Sequence, residues 1–143
     1  MLRTLIVKDN LLFRETIKSN LLSEFPSIQV IEAANGEEAF KRLVSDPMDL
    51  VFMDVRLPGE NGFELTRKIK ADYKNVTVVI LTSYDLVEYR EAVARCGADC
   101  FIVKDLMKWD QISTFVRCFQ RAKDAGGLKP SCVRLTSDVE RRD

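Results

Sequence analysis

The segment LVFMDVRLPGENG, residues 50–62, contains a four-residue apolar run that ends at an aspartate, Asp54. An unbroken apolar run is typical of a strand that is covered on both faces of a sheet. The proline, glycines and asparagine that follow predict a loop. A helix is predicted next, from the apolar residues Phe63, Leu65 and Ile69. The segment thus predicts one strand–loop–helix unit, with a carboxylate at the carboxyl end of the strand.

Four further strands are predicted around this unit, from runs rich in apolar residues at 5–7, 28–33, 76–81 and 100–103. Amphipathic stretches separate them, as where Phe13, Ile17 and Leu21 recur at four-residue spacing. The helix before the fifth run is expected from about Asp85 to Arg95. Strands that alternate with helices form parallel sheets with helices on both faces. We therefore predict the α/β class: a doubly wound five-stranded parallel sheet, flavodoxin-like (βα)5, with strand order 2-1-3-4-5.

The composition is that of an ordinary globular chain of 143 residues, with 22 basic and 22 acidic residues. This charge balance does not indicate direct binding of nucleic acid or of a membrane. The chain has no histidine, and its four cysteines form no C-x-x-C pair, which argues against a zinc site and a Cys–His nucleophile. No apolar run approaches the ~18 residues of a membrane span. A cytoplasmic protein with reduced thiols is expected.

Polar residues follow the first, third, fourth and fifth predicted strands, namely Lys8, Asp9, Asp54, Thr82 and Lys104. The carboxyl ends of parallel strands meet at one edge of the sheet, where doubly wound folds bind ligands. Carboxylate oxygens suit Mg²⁺, a carboxylate can accept a phosphoryl group, and a lysine can balance phosphoryl oxygens. Taken singly, the aspartates could cap a helix or start a turn, Thr82 could be a turn residue, and Lys104 could be a surface charge. Together they predict a site for phosphate and Mg²⁺.

Four segments in order resemble the receiver domains of bacterial response regulators, the CheY-like family. LIVKDN at 5–10 resembles the acidic motif of the first strand, and MDVRLPGENG at 53–62 closely resembles the phosphoacceptor segment. LTSY at 81–84 matches the switch hydroxyl. CGADCFIVKD at 96–105 matches the segment with the switch aromatic and the family's lysine. The resemblance covers about residues 2–124.

The resemblance implies a regulatory domain of two-component signalling and not an enzyme. Asp54 would accept a phosphoryl group from a phosphohistidine on a sensor histidine kinase or phosphotransfer protein. Asp9 and Asp54, with the backbone carbonyl of Arg56, would bind Mg²⁺. Arg56 and Tyr84 match positions that tune dephosphorylation in the family.

The same resemblance implies a switch. Thr82 and Lys104 would hold the phosphoryl oxygens, and Phe101 would move inward as Thr82 moves toward the phosphate. A dianionic phosphate adds charge and hydrogen-bond acceptors that bias such a two-state element. The output face would be helix 4, strand 5 and helix 5, which would contact an output protein or a second copy of the chain.

The dipeptide Lys104-Asp105 resembles the corresponding dipeptide in receivers attached to helix-turn-helix domains of the LuxR/NarL type. We expect a receiver domain at residues 1–125 and a tail or linker at 126–143. Two alternatives stay open for the chain: it is a stand-alone regulator, or it is part of a longer DNA-binding regulator.

Lys8 departs from the family, because it stands where the first of two adjacent acids is usual. Two hypotheses follow. In the first, the chain remains a phosphoacceptor with weakened Mg²⁺ affinity, and Lys8 pairs with Asp54 and replaces part of the metal's charge. In the second, it is a pseudo-receiver, a binding module that acts without phosphorylation. Two rivals have less support: an aspartate phosphohydrolase would need an acid where Arg56 stands, and a flavin module would need a phosphate-binding glycine loop.

Overall fold

Five strands alternate with five helices in the computed structural model, which describes residues 2–84, 86–103 and 109–126. In chain order the elements are β1 (Arg3–Val7), α1 (Leu11–Glu24), β2 (Gln29–Ala33), α2 (Gly36–Ser45), β3 (Leu50–Met53), α3 (Gly62–Asp72), β4 (Thr77–Thr82), α4 (Val87–Cys96), β5 (Cys100–Val103) and α5 (Trp109–Asp124). The strands form one sheet in the order β2-β1-β3-β4-β5, and all neighbours are parallel. The predicted fold class and strand order are confirmed.

The buried apolar residues form two clusters, one on each face of the sheet. Along β3, Val51 and Met53 belong to the cluster that includes α2, α3 and α4, whereas Leu50 and Phe52 belong to the cluster that includes α1 and α5. Neighbouring side chains of a strand point to opposite faces. Every position of β3 is therefore buried, which explains its continuous apolar sequence. Among the described residues, no helix has both the length and the apolar character needed to cross a membrane.

Asparagine side chains cap the N-termini of the first three helices. Asn10, Asn35 and Asn61 each accept a hydrogen bond from the backbone N–H three residues later. Such caps satisfy N–H groups that have no partner within the helix. The start of α4 differs, since it has no side-chain cap. This helix begins at Val87, not near residue 85 as expected, because Leu86 still has extended backbone angles (φ −107°, ψ 142°).

Three cysteines lie in the part of the chain that the structure describes. Cys96 and Cys118 are free thiols, as expected, and burial raises the pKa of the Cys96 thiol. Cys100 is fully buried in β5.

Candidate functional site

The strand ends bring three of the predicted residues to one edge of the sheet. Val7, the last residue of β1, pairs with Met53, the last residue of β3, so Lys8 and Asp54 follow directly at the same edge. Strand β4 ends at the same edge with Thr82, which pairs with the last residue of β5. This edge lies at the carboxyl ends of the strands, where ligands of doubly wound sheets bind.

Asp54 follows directly after β3, and only 7% of its surface is exposed. Its backbone N–H donates to the carbonyl of Val7 at 3.0 Å. The loop behind it closes where the N–H of Gly62 donates to the carbonyl of Val55 at 2.7 Å. A β-carbon on Gly62 would lie 1.9 Å from the Asp54 carbonyl oxygen, so only glycine allows this close approach. The backbone that carries the carboxylate is thereby fixed.

Lys8 contacts the Asp54 carboxylate directly. Its Nζ donates to Oδ2 at 2.7 Å, and 20% of the Lys8 side chain and 8% of the Asp54 side chain are exposed. The same ammonium lies 4.7 Å from the centroid of the Phe13 ring. Arg14 Nη1 donates to the carbonyl of Lys8 at 2.5 Å and to the carbonyl of Asp9 at 3.2 Å. The predicted pairing of Lys8 with Asp54 is confirmed, and residues of α1 hold the lysine in place.

The residues at this edge do not fit a tightly bound Mg²⁺ ion. The predicted ligands include two carboxylates: Asp9 is exposed, and Oδ2 of Asp54 already accepts from Lys8. Across the part of the chain that the structure describes, no three acidic, histidine or cysteine side chains are grouped to hold a metal ion. Mg²⁺ demands oxygen ligands in near-octahedral geometry. An ion bound by Asp9, Asp54 and the backbone carbonyl of Arg56 would have to displace the Lys8 ammonium.

The predicted switch residues Thr82 and Phe101 are both buried, each with 3% of its surface exposed. The Thr82 hydroxyl oxygen accepts a hydrogen bond from the backbone N–H of Tyr84 at 3.2 Å. The Phe101 ring packs in the cluster with α2, α3 and α4, and the guanidinium of Arg90 lies 5.4 Å from its centroid. The aromatic ring is thus in an inward position. The prediction for Lys104 lies outside the described residues.

Arg56 links the loop after Asp54 to the segment after Thr82. Its guanidinium carbon lies 4.2 Å from the centroid of the Tyr84 ring. Hydrogen bonding with the Tyr89 side chain, together with the nearby Tyr84 and the Asp54 carboxylate, raises the pKa of Arg56. Sequence reasoning singled out Arg56 and Tyr84 but missed Tyr89 and the stacking itself. No local motif signals this contact, because Tyr89 reaches it from α4.

Comparisons with known proteins agree with this geometry. Residues 4–117 match the family described as the response regulator receiver domain. The chain is 39% identical over 100 residues to a cyclic di-GMP phosphodiesterase of Thermotoga maritima, which covers 70% of this chain and 26% of that protein. It is 38% identical over 85 residues to the sensory transduction protein LytT of Bacillus subtilis, covering 59% of this chain and 35% of LytT. The chain thus spans far less than the full length of either relative.

Solved structures of the response regulator TrrA from Thermotoga maritima are also similar to the chain. One, of TrrA in complex with Mg²⁺–BeF, has 33% identity and a TM-score of 0.73, covering 82% of this chain and 97% of TrrA. Another, of the histidine kinase ThkA in complex with TrrA, has 32% identity and a TM-score of 0.72 over the same shares of 82% and 97%. With its sheet order, Asp54 at the end of β3 and a family match over most of its length, the chain belongs to the response regulator receiver domain family of two-component signalling.

Proposed function

We propose that Asp54 accepts a phosphoryl group from a partner histidine kinase or phosphotransfer protein. The observation that carries this proposal is the position of Asp54, one residue beyond β3 and fixed by the close approach of Gly62. A carboxylate so placed at the sheet edge can act as a covalent acceptor. The complex of TrrA with a histidine kinase supports the class of partner.

Thr82 and Lys104 hold the phosphoryl oxygens in this proposal, and Phe101 follows the movement of Thr82. The hydroxyl of Thr82 is well placed for that role, because it is at the same edge as Asp54 and its oxygen already bonds to the backbone of the next loop. A hydroxyl can donate while its oxygen accepts. Phosphorylation would therefore change the hydrogen bonding of the β4–α4 segment directly.

The proposed output face consists of α4, β5 and α5. Three large hydrophobic side chains are exposed at its α4 end, Tyr84 at 45%, Leu86 at 38% and Val87 at 66%. Neighbouring exposed apolar side chains of this kind mark contact surfaces. The occupant is an output protein or a second copy of the chain, and the proposal includes no direct contact of this chain with nucleic acid.

We also propose a subgroup, domain limits and a location for the chain. The Lys104–Asp105 step supports a place among the receivers of the LuxR/NarL type. The proposed domain limits are residues 1–125 for the receiver and 126–143 for a tail or linker. A location in the cytoplasm fits a partner kinase that uses phosphohistidine.

Binding of Mg²⁺ by Asp9, Asp54 and the Arg56 carbonyl is proposed to be weaker than in receivers with two adjacent acids. Two unit charges 4 Å apart interact by about 4 kcal/mol at an effective dielectric constant of ~20. Replacing an acid by Lys8 beside a divalent ion therefore costs several kcal/mol before the lysine moves away. The Mg²⁺–BeF complex of TrrA supports the metal itself, not this weakening.

The ion pair between Lys8 and Asp54 also favours a second candidate, a pseudo-receiver that binds partners without phosphorylation. In that case the ammonium occupies the acceptor permanently. The two candidates differ in whether a phosphoryl group ever reaches Asp54.

Intact-mass analysis after incubation with acetyl phosphate and Mg²⁺ separates these candidates. A phosphoryl adduct on the wild type that is absent from Asp54→Asn supports the phosphoacceptor. An adduct on Lys8→Asp but none on the wild type supports the pseudo-receiver, because Lys8 has then disabled an otherwise complete site.

A further inference from the structure

The ammonium of Lys8 is held at Asp54 by contacts at both ends of the residue. At the tip, Nζ touches Oδ2 of Asp54 at 2.7 Å and lies over the ring of Phe13. At the backbone, the N–H of Lys8 donates to the carbonyl of Ala33 at 3.0 Å, and its carbonyl accepts from Arg14 at 2.5 Å. A lysine that merely drifted into a vacant acidic position would gain from turning toward water. This one is directed inward.

We infer that Lys8 is a tethered cation of the acceptor site, which supplies the positive charge at Asp54 that a metal ion would otherwise supply, so that Asp54 is phosphorylated without a divalent metal. The inference rests on the proposed function, and it gives Lys8 a specific role in the transfer. The same role of Lys8 explains why the predicted ligands, Asp9, Asp54 and the Arg56 carbonyl, fit a Mg²⁺ ion poorly.

The charges show why the ammonium favours the transfer. A phosphoryl donor such as acetyl phosphate brings negative charge toward the carboxylate of Asp54, and the two repel. With Lys8 in contact, the carboxylate and the ammonium sum to zero, so that repulsion is removed at the point of approach. The contact is with Oδ2, which leaves Oδ1 as the oxygen that attacks.

The transfer is balanced without another reactant. A bond forms between Oδ1 of Asp54 and phosphorus while the bond between phosphorus and the carboxyl oxygen of acetyl phosphate breaks. Acetate leaves with the electron pair of that bond. The Lys8 ammonium keeps its protons throughout and pairs afterwards with the phosphoryl oxygens, where a point charge of this kind is effective.

The test compares phosphorylation of the full chain by acetyl phosphate in Mg²⁺ and in EDTA, followed by intact mass. The wild type should react in EDTA at a rate within about threefold of its rate in Mg²⁺. Lys8→Met and Lys8→Gln, which remove the charge, should be slower in EDTA by about tenfold or more. The matched control is Lys18→Met, a lysine of α1 that pairs with Glu32 instead, and it should behave as the wild type. Circular dichroism of each variant confirms folding.

Each outcome decides the inference. A wild type that reacts in Mg²⁺ but not in EDTA overturns the tethered cation and leaves the proposed function intact. Lys8→Met that reacts in EDTA as fast as the wild type also overturns it. No adduct in either condition overturns both the inference and the proposed phosphoacceptor.

Calorimetric titration with Mg²⁺ gives a readout that does not depend on phosphorylation. If the ammonium stands in the place of the cation, Lys8→Asp should bind Mg²⁺ at least about tenfold more tightly than the wild type, with Lys8→Met between them. Equal affinity of the wild type and Lys8→Asp would overturn the inference.

Discussion

The guanidinium of Arg56 stacks on the ring of Tyr84, with 4.2 Å between the guanidinium carbon and the ring centroid. Arg56 lies two residues after Asp54, and Tyr84 lies two residues after Thr82. The stack therefore connects the loop that carries the acceptor to the loop that carries the switch hydroxyl. Tyr84 is 45% exposed, so the stack lies at the surface, where we expect it to shield the acceptor edge from water.

Removal of this stack should shorten the lifetime of the phosphorylated state. Tyr84→Ala deletes a cation–π contact, which at an exposed site is worth about 0.5–1 kcal/mol, and the loss of phosphate should accelerate about two- to fivefold. The measurement is the decay of the phosphoryl adduct by intact mass once the phosphodonor is removed. Tyr84→Phe keeps the ring and should decay as the wild type does. Equal decay of Tyr84→Ala and the wild type would refute the shielding role.

Gly62→Ala should destabilise the fold, because its β-carbon would lie 1.9 Å from the carbonyl oxygen of Asp54. The loop would have to shift, at a cost of about 1–3 kcal/mol in the free energy of unfolding. Urea denaturation measures this cost directly. A smaller loss would mean that the backbone behind Asp54 yields easily, contrary to the rigidity that we assign to it.

Gly36→Ala is the matched control for that prediction. Gly36 and Gly62 both open a helix directly after a capping asparagine. The nearest atom to a β-carbon on Gly36 is Oε1 of Glu60 at 2.9 Å, the end of a flexible side chain that can turn away. The change in unfolding free energy should stay within about 1 kcal/mol, in either direction, because alanine also favours the helix.

Glu24 ties the end of α1 to α5. Its carboxylate accepts hydrogen bonds from Trp109 Nε1 at 3.0 Å, from the Ser113 hydroxyl and from the Arg117 guanidinium. The bond from Ser113, then that from Trp109, and the charge of Arg117 lower the pKa of Glu24 below its ordinary value of 4.5. Since the folded-state pKa is lowered, the ionised form stabilises the fold. That contribution is complete above the ordinary value and is lost as the pH falls through the lowered one.

Glu24→Gln should therefore melt at a lower temperature than the wild type at neutral pH, and the difference should shrink between about pH 5 and pH 3. Fluorescence of Trp109, the single tryptophan of the chain, follows the transition at the contact itself. Glu37→Gln, in an exposed pair with Lys41, should show no such difference at either pH. If the melting temperature of Glu24→Gln stayed below that of the wild type at low pH, the contact of Glu24 with α5 would depend on the shape of the side chain and not on its charge.

The arrangement of the acceptor edge was predictable because it depends on topology alone. Once the strands are parallel, Lys8, Asp54 and Thr82 must follow strand ends at the same edge, whatever the details of packing. The pairing of Lys8 with Asp54 was also among the sequence-based hypotheses. The apolar runs sufficed for the parallel sheet, since two-sided burial leaves no polar alternation along β3, and the strand order followed from the choice of a flavodoxin-like doubly wound fold.

The contacts that hold these side chains were not predictable, because they depend on how the helices are rotated against the sheet. Phe13 faces the ammonium of Lys8 only because α1 starts immediately after the Asn10 cap. Tyr89 reaches Arg56 only because α4 starts at Val87. Shifting a helix start by one residue turns its side chains by about 100°, and no local motif fixes that rotation.

A double-mutant cycle with Lys8→Met and Asp54→Asn should measure the ion pair on which the tethered cation and the pseudo-receiver both depend. Both side chains are largely buried, and a hydrogen bond between charged groups is worth about 1.5–3 kcal/mol, so a coupling energy in that range is expected in urea denaturation. The reference cycle uses Glu37→Gln and Lys41→Met, whose side chains are 80% and 74% exposed, and its coupling should not exceed about 0.5 kcal/mol. If the coupling energy of Lys8 and Asp54 were as small as that of the reference pair, the ammonium of Lys8 would be solvated and not paired with Asp54. Asp54 would then be an acceptor without a stable partner at Lys8, with neither a tethered cation nor a permanent block.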